Sequence, residues 1–480
     1  MAIRGIKLVA PASALICAAQ LLFVLRHRRL ALGKFGALIT AWALAETVHL
    51  FSAKARLAVL QRKLDVARVP TMTSSERLVL FERCMRTVES PQAFVQAWYT
   101  PKAGKAPEYS ALRRGNVEEL IAWAFFHVRT PELLSPKHKD ELKGLMARVE
   151  GMVGPMPDGY NDGVQMMKFT EEPVSDVHRP LVVYAVVDLV FQCVIVPVVK
   201  RAAGYVHVRH GKVDCYVRRG KAAELPPVVF IHGIGVGLLP YQKFLRKLEA
   251  RCDATEGALS GRTLIAVHLP VIAQRLFPPD LLAVECVAAL RELFVAQGFS
   301  AGLFIGHSYG TFVVSWLVRL APELVAALGV IDPVCLLLHS TDVLHNILYH
   351  ETVDDDACER VLDYIMRREV ALEHHLKRDF YWFQSCLFLE DVPTGDVPVF
   401  VVLSDNDPLV PSAQVRDYVQ RYNAGDYIDV ESAKHAEPVA TVDLTWLERC
   451  DHSGFIFNDG YEADVVAAVE RTARRAKRMW

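Results

Sequence analysis

The chain has 480 residues, and 52% of them are hydrophobic, so it can bury at least one large core and a disordered protein is disfavoured. Its 54 basic and 55 acidic residues leave a formal net charge of −1, which gives no long-range field for binding nucleic acid. The ten cysteines occur singly between Cys17 and Cys450, which argues against zinc and disulfide scaffolds and indicates a body that faces the cytosol.

Residues 1–55 predict a membrane segment. The uncharged apolar run 8–25 is just long enough for a helix to cross a hydrocarbon core of about 30 Å. The basic sequence "RHRR" follows it and argues against a cleaved signal peptide. A second run, 35–51, carries Glu46 and His49 and fits a second span as well as it fits a buried or interfacial helix. We therefore expect one or two anchoring helices. Their orientation and the organelle stay open, with the endoplasmic reticulum as one candidate.

Residues 56–204 predict a mainly helical region. The sequence "SSERLVLFERCMRTV" has apolar residues on one helical face, with Ser74 or Ser75 as the capping residue. A third apolar run, 181–199, is long enough to span but contains Asp188. A charge within a span is costly, so we expect this helix to be buried against protein or to lie on the membrane surface.

From residue 205 to residue 480, short apolar runs alternate with helical segments, which predicts an α/β domain with a mostly parallel sheet. Each run ends in turn residues, as buried parallel strands do. These predicted strands are 226–233, 263–270, 302–308, 327–333 and 397–405. The segment "DLLAVECVAALRELFVAQG" before the third strand and "YGTFVVSWLVRLAPEL" after it predict helices.

The third strand ends in "GHSYG", a G-x-S-x-G pattern made by Gly306, Ser308 and Gly310. The two glycines remove side chains that would clash in a sharp strand-to-helix turn, so the serine hydroxyl can be lifted clear of the sheet. A hydroxyl becomes a strong nucleophile only when a base takes its proton. The pattern therefore requires a histidine and an orienting carboxylate later in the chain.

Candidates for both groups follow the last predicted strands. In "VVLSDNDPLVPS" we favour Asp407 as the carboxylate because "DPLVP" places it at the turn into a helix that starts near residue 410. Asp405 is a close alternative, and Asp332, after the preceding strand, is a remoter one. For the base we favour His452, which follows the apolar strand "TVDLTWLE", over His435 in "ESAKHAEP".

The sequence "FIHGIGVGLLPY" is a predicted strand that ends in a glycine-rich loop, where backbone N–H groups can approach a reacting carbonyl. The amides of Ile234 and Tyr309 are the two candidate donors for an oxyanion. A phosphate-binding loop is the alternative, but no G-K-[ST] follows and the spacing is not G-x-G-x-x-G.

Together, "HGIGVG", "GHSYG", "DNDPLVP" and "DHSGFIF" resemble the α/β-hydrolase family in motif and chain order over residues 205–480. The resemblance implies an eight-stranded, mostly parallel sheet and a catalytic triad of Ser308, His452 and Asp407. It also implies a helical lid at about 335–396 and a reaction that needs neither metal nor organic cofactor.

These features predict a membrane-associated serine hydrolase that cleaves a carboxylic ester through an acyl-enzyme. A lipid or another apolar ester is the favoured substrate because a membrane anchor places the site near such molecules. The expected partners are therefore the membrane and this substrate, without nucleic acid, and the oligomeric state stays open. The alternatives are an acyltransferase that uses the same triad and an inactive membrane scaffold with a hydrolase fold.

Overall fold

The computed structural model of the protein describes residues 2–27, 33–61, 68–101, 107–174, 177–222, 224–349, 364, 367–393, 397–426 and 441–477. The alternative base His435 lies outside the described residues, as do parts of the predicted lid. Residues 335–349 and 367–393 are the described parts of that lid, and we call them the lid segment.

Two long apolar helices begin the chain, α1 (Ala2–His27) and α2 (Gly33–Leu60), and they pack against each other. Most of their large apolar side chains are exposed. Three helical stretches among the described residues are long and apolar enough to cross a membrane: Leu8–His27, Gly33–Leu60 and Leu181–Ala202. The two apolar runs predicted at the N-terminus are thus helices. That they span a membrane stays a prediction.

Residues 68–174 form what we call the N-terminal helical region. Its helices are α3 (Ser74–Arg86), α4 (Pro91–Ala97), α5 (Arg114–Phe126) and α6 (Pro136–Val153), and a two-stranded antiparallel sheet joins β1 (Tyr99–Pro101) to β2 (Val164–Met166). The predicted cap of α3 is wrong. Thr73 caps it, since its hydroxyl accepts the N–H of Glu76 at 3.3 Å and the Glu76 carboxylate accepts the N–H of Thr73 at 2.6 Å.

Helix α7 (Leu181–Ala202) has two chemically different faces. On one face, Asp188 pairs with Arg275, and Gln192 donates to the carbonyl of Val236 at 2.5 Å. The other face exposes apolar side chains, among them Leu189, which is 61% exposed. The polar residues within this apolar run are therefore explained by contacts with the rest of the protein.

An eight-stranded sheet forms the centre of the molecule. Its strands are β3 (Val206–His210), β4 (Val213–Arg218), β5 (Val228–Ile231), β6 (Leu264–His268), β7 (Gly302–His307), β8 (Val325–Ile331), β9 (Val399–Ser404) and β10 (Asp443–Leu447). The spatial order is β10-β9-β8-β7-β5-β6-β4-β3. Strands β5 to β10 run parallel, whereas β4 is antiparallel to β6 and β3 to β4. The predicted α/β class and mostly parallel sheet are confirmed.

Helices cover both faces of this sheet. In chain order they are α8 (Gln242–Asp253), α9 (Ala283–Gln297), α10 (Gly310–Leu320), α11 (Thr341–Leu344), α12 (Val370–His374), α13 (Trp382–Ser385), α14 (Ser412–Ala424) and α15 (Asp459–Lys477). On β5, Val229 and Ile231 belong to an apolar cluster that also contains residues of α9, α10 and α14, whereas Val228 and Phe230 belong to a second cluster with residues of α8 and α15. Because alternate side chains of a strand point to opposite faces, strands buried on both faces are apolar throughout.

The N-terminal helical region shares its core with the sheet and the lid segment. A single cluster of buried apolar residues includes members of α3, α5 and α6 together with members of β5, α10 and the lid segment. Polar contacts reinforce this packing: Trp382 Nε1 donates to the carbonyl of Ala124 at 3.0 Å, and Arg378 donates to the carbonyl of Thr170 at 2.7 Å. The boundary at residue 204 remains a prediction, and this packing crosses it.

Candidate active site

Ser308 lies at the sharp turn between β7 and α10, at the carboxyl edge of the sheet. Its φ of 50° is in the left-handed region, which is rare for a residue with a side chain and marks a strained turn. The turn also requires both glycines of the motif. A Cβ on Gly306 would lie 2.4 Å from the carbonyl oxygen of Gly310, and one on Gly310 would lie 2.3 Å from that of Ile231.

The structure brings Ser308, His452 and Asp407 together. His452 Nε2 lies 2.9 Å from Ser308 Oγ, and His452 Nδ1 lies 2.6 Å from Asp407 Oδ2. His452 lies in the loop after β10, and Asp407 lies in the turn after β9. The side chain of Asp407 is fully covered, and that of His452 is 12% exposed. This chain of contacts from serine to imidazole to carboxylate allows the imidazole to take the proton of the serine hydroxyl.

Two backbone N–H groups fix the orientation of Asp407. Its Oδ1 accepts from Leu409 at 2.8 Å and from Val410 at 2.9 Å, which leaves Oδ2 for the imidazole. The close alternative, Asp405, is exposed and accepts only the N–H of Arg449, at 3.3 Å, among its contacts in the described structure. The geometry thus favours Asp407 over Asp405 as the partner of His452.

Asp332, the remoter alternative, lies beside the site without contacting His452 through a hydrogen bond. It is fully buried after β8, and its carboxylate accepts the N–H of Ser404 at 3.2 Å and that of Ser453 at 2.9 Å. A carboxylate oxygen of Asp332 nevertheless lies within 4.8 Å of the ligand atoms of His452 and Asp407. A second negative charge therefore acts on the imidazole, which the sequence did not indicate.

Charge and burial oppose each other at His452. Burial acts to lower the pKa of the imidazole, but the charge and hydrogen bond of Asp407, together with the charge of Asp332, outweigh it and raise the pKa above its usual 6.5. Burial likewise acts to raise the pKa of Asp332, yet His307, His452 and the N–H of Ser453 hold it below its usual range. The negative charges of both carboxylates therefore favour the imidazolium form of His452.

The glycine-rich loop after β5 touches the serine. A Cβ on Gly233 would lie 2.9 Å from the Cβ of Ser308, so only glycine allows this approach. The backbone N–H groups of Ile234, next in this loop, and of Tyr309, at the start of α10, have no hydrogen-bond acceptor among the described residues. Free N–H groups next to a nucleophile are the chemical requirement for an oxyanion hole.

A buried chain of hydrogen bonds supports this loop from behind. The N–H of Gly233 donates to the Tyr241 hydroxyl at 3.1 Å, and that hydroxyl lies 2.7 Å from His307 Nδ1. His307 Nε2 in turn lies 3.4 Å from Asp332. Sequence reasoning missed Tyr241 and His307, although both belong to the quoted motifs. Burial lowers the pKa of His307, so this ring is neutral at pH 7.

Among the described residues, one cluster has ligand atoms close enough together to hold a metal ion, and it consists of Asp332, Asp407 and His452. Both nitrogens of His452 already face Asp407 and Ser308, and both oxygens of Asp332 accept backbone N–H groups. The nitrogen and oxygen atoms of these three residues are thus better suited to proton transfer than to binding a metal ion. The expected independence from metal and cofactor stays a prediction.

Three features together identify the fold: the strand order of the sheet, the antiparallel strand β4, and the strained turn that carries Ser308 before α10. The chain has the α/β-hydrolase fold. In this fold, the serine follows β7, the carboxylate follows β9 and the histidine follows β10, so the three side chains meet at the carboxyl edge of the sheet.

No family model matches the sequence, and no curated protein is significantly similar to it. Similar solved structures include a membrane phospholipase A described as a bacterial virulence factor, with 15% identity, 61% of this chain and 94% of that chain covered, and a TM-score of 0.37. Carboxylesterase CesB from Bacillus subtilis has 14% identity over 59% of this chain and 98% of that one, with a TM-score of 0.38. A carboxylesterase from Nitrososphaera gargenis has 16% identity, 56% and 99% coverage, and a TM-score of 0.37.

Proposed function

We propose that the protein is a membrane-associated serine hydrolase that cleaves carboxylic esters of lipids through an acyl-enzyme on Ser308. The observation that carries this proposal is the continuous contact from Ser308 Oγ through His452 to Asp407, at 2.9 and 2.6 Å. An activated serine at a strained turn is the requirement for acyl transfer.

In the first half of the reaction, His452 Nε2 takes the proton of Ser308 as Oγ attacks the ester carbonyl carbon. The N–H groups of Ile234 and Tyr309 stabilise the negative charge that develops on the carbonyl oxygen, each contributing about 3 kcal/mol to the transition state. Asp407 holds the imidazole with its Nδ1 proton directed away from the serine and stabilises the imidazolium. The imidazolium then gives its proton to the departing alcohol.

In the second half, His452 takes a proton from water, and the hydroxide attacks the ester carbonyl on Ser308. Collapse of the second tetrahedral intermediate releases the acid and returns the proton to Oγ. An alcohol in place of water would give transfer instead of hydrolysis, so analysis of the acyl product distinguishes a hydrolase from an acyltransferase. We expect free acid as the product.

The two faces of α7 support membrane association. Asp188 and Gln192 are held by the rest of the protein, whereas Leu189 and Val198, both 61% exposed, and Val194, 55% exposed, share the free face. A helix with one apolar face and one face bound to protein fits the plane of a membrane surface. A polarity-sensitive fluorophore at Leu189→Cys should shift to the blue in phosphatidylcholine nanodiscs, and no shift would contradict this placement.

The test of the catalytic proposal is labelling of the full-length protein with a fluorophosphonate probe. The wild type should be labelled, and Ser308→Ala and His452→Ala should lose the label. His435→Ala is the matched control and should keep it. Absence of labelling in folded wild-type protein, or loss of labelling in the control alone, would overturn the assignment.

A further inference from the structure

We propose that the N-terminal helical region is part of the substrate site and that, with the lid segment and α10, it encloses the pocket for the long aliphatic acyl chain of the ester. This inference rests on the proposed function and specifies its substrate class. It assigns a role to residues 68–174, which lie outside the strands and turns that carry the triad.

A large apolar pocket lies between these three parts of the molecule. Its empty space is about 1040 Å³, a figure that includes the part open to solvent. Trp98, Val117 and Ala124 line it from the N-terminal helical region, Phe312 from α10 and Leu348 from the lid segment. The transfer of a hydrocarbon from water into a pocket with aromatic and aliphatic walls is favourable.

The polar content of the pocket excludes a charged or strongly hydrated ligand. Its lining contains no Asp, Glu, Lys or Arg side chain among the described residues. The ionisable ring that lines it, His339, already contacts Thr87 Oγ1 at 2.8 Å and Cys386 Sγ at 3.8 Å. Burial lowers the pKa of His339 to about 4, so this ring is neutral at pH 7. A hydrocarbon chain meets these conditions, whereas a headgroup does not.

One wall of the pocket begins beside the nucleophile. Phe312 lies in the first turn of α10, four residues after Ser308, and its N–H donates to the carbonyl of Tyr309 at 2.9 Å. The ring of Phe380, another lining residue, packs on that of Phe312 with centroids 4.8 Å apart. We infer that an acyl chain bonded to Ser308 Oγ starts near this part of the lining.

Another part of the lining adjoins the turn that carries the carboxylate. The lining residues Ile347 and Leu348 directly follow Asn346, whose Nδ2 donates to the carbonyl of Leu409 at 3.3 Å. The N–H of Leu409 donates to Asp407 Oδ1 at 2.8 Å. The lining of the pocket is therefore linked to the turn of the nucleophile through Phe312 and to the turn of the acid through Asn346 and Leu409, and we infer that the acyl part of a bound ester extends into it.

The experiment compares kcat/KM for p-nitrophenyl butyrate and octanoate with full-length protein in phosphatidylcholine nanodiscs. The esters differ by four methylenes in the acyl chain and share one leaving group. Each methylene that becomes buried should raise kcat/KM by up to about fourfold, which corresponds to ~0.8 kcal/mol. The wild type should therefore prefer octanoate by up to about 200-fold, and at least by tenfold.

Ala124→Leu and Ala124→Phe place atoms in the pocket from the side of the N-terminal helical region. We expect the octanoate-to-butyrate ratio to fall at least tenfold in Ala124→Phe and by an intermediate factor in Ala124→Leu. Ala147→Phe, at an exposed position of α6, is the matched control and should keep the wild-type ratio. All rates are expressed per serine titrated with a fluorophosphonate, so that only folded enzyme is counted.

The outcomes separate this inference from the proposed function. A titratable serine with equal activity on both esters would overturn the inference alone, as would a ratio that Ala124→Leu and Ala124→Phe leave unchanged. The inference would also fail if Ala147→Phe lowered the ratio as much as Ala124→Phe does. Absence of a titratable serine in the wild type would overturn the proposed function and the inference with it.

Discussion

Replacement of Asp407 by asparagine should inactivate the enzyme by forcing the wrong imidazole tautomer. Oδ1 of Asp407 accepts two backbone N–H groups, from Leu409 and Val410. An amide NH₂ cannot occupy this position because it would face two donors. In Asp407→Asn, the amide oxygen therefore takes this position and the NH₂ group points at His452 Nδ1.

An NH₂ group that donates to Nδ1 leaves the imidazole proton on Nε2, where it faces Ser308 Oγ. The ring then cannot accept the proton of the serine. Loss of the correct tautomer in a triad costs about 10³- to 10⁴-fold in kcat, which corresponds to ~4 to 5.5 kcal/mol of transition-state stabilisation. The assay is kcat/KM for a p-nitrophenyl ester at pH 8, with fluorophosphonate labelling as a second readout.

The controls test the reasoning at neighbouring positions. Asp405→Asn alters an exposed carboxylate two residues away and should stay within about twofold of the wild type. If Asp407→Asn retained more than a tenth of the wild-type activity while Asp332→Asn lost it, the carboxylate that orients His452 would be Asp332. A full loss in Asp405→Asn would also refute the argument.

The remaining predictions concern the base, the sheet and the loop that approaches the serine. Because the pKa of His452 is raised and only the neutral ring accepts a proton, kcat/KM should fall as the pH drops through a value above 6.5. Asp332→Asn removes a negative charge that raises this pKa, so the acidic limb of the profile should move to lower pH. In Gly329→Ala, the new Cβ would lie 2.0 Å from ring atoms of Phe400, and the free energy of unfolding in urea should fall by about 2 to 3 kcal/mol. Gln192→Leu removes the hydrogen bond to the glycine-rich loop, and kcat should fall about fivefold, ~1 kcal/mol, with little change in KM.

Each of these predictions has an outcome that contradicts it. A pH profile whose midpoint does not move in Asp332→Asn would show that this charge does not act on His452. Gly144→Ala, which meets no atom within 4 Å on α6, should not destabilise the protein, and an equal loss there would exclude the steric explanation for Gly329. A change in KM alone for Gln192→Leu would show that the loop binds the substrate and the transition state equally.

Sequence patterns were sufficient for the centre of the sheet, because its strands are apolar on both faces and end in turn residues. The predicted runs and "TVDLTWLE" contain strands β5, β6, β7, β9 and β10, whereas β8 begins at Val325, two residues before its predicted run. The edge hairpin of β3 and β4 was not predicted. Strand β3 has the sequence "VHVRH" and is largely exposed. It therefore lacks the continuous apolar run by which a buried strand is recognised. Ser308, His452 and Asp407, which the sequence predicts as a triad, are in contact in the structure. Their catalytic roles remain predictions.

Features assembled from distant segments could not be predicted. The charge of Asp332 beside His452, and the contact of Tyr241 with His307, join residues that are far apart in the chain. The apolar pocket has the same origin. Its lining residues come from α3 to α6, α10 and the lid segment, and in each helix they look like ordinary core positions.

The sharing of one core by the N-terminal helical region and the lid segment has a consequence for synthesis. The indole N–H of Trp382 donates to the carbonyl of Ala124, 258 residues earlier in the chain. At about 5 to 20 residues per second, the ribosome needs roughly 13 to 50 s to add the intervening residues. During this interval the apolar faces of α3 to α6 have been synthesised without their partners, and such exposed apolar surface is prone to aggregation until the lid segment follows.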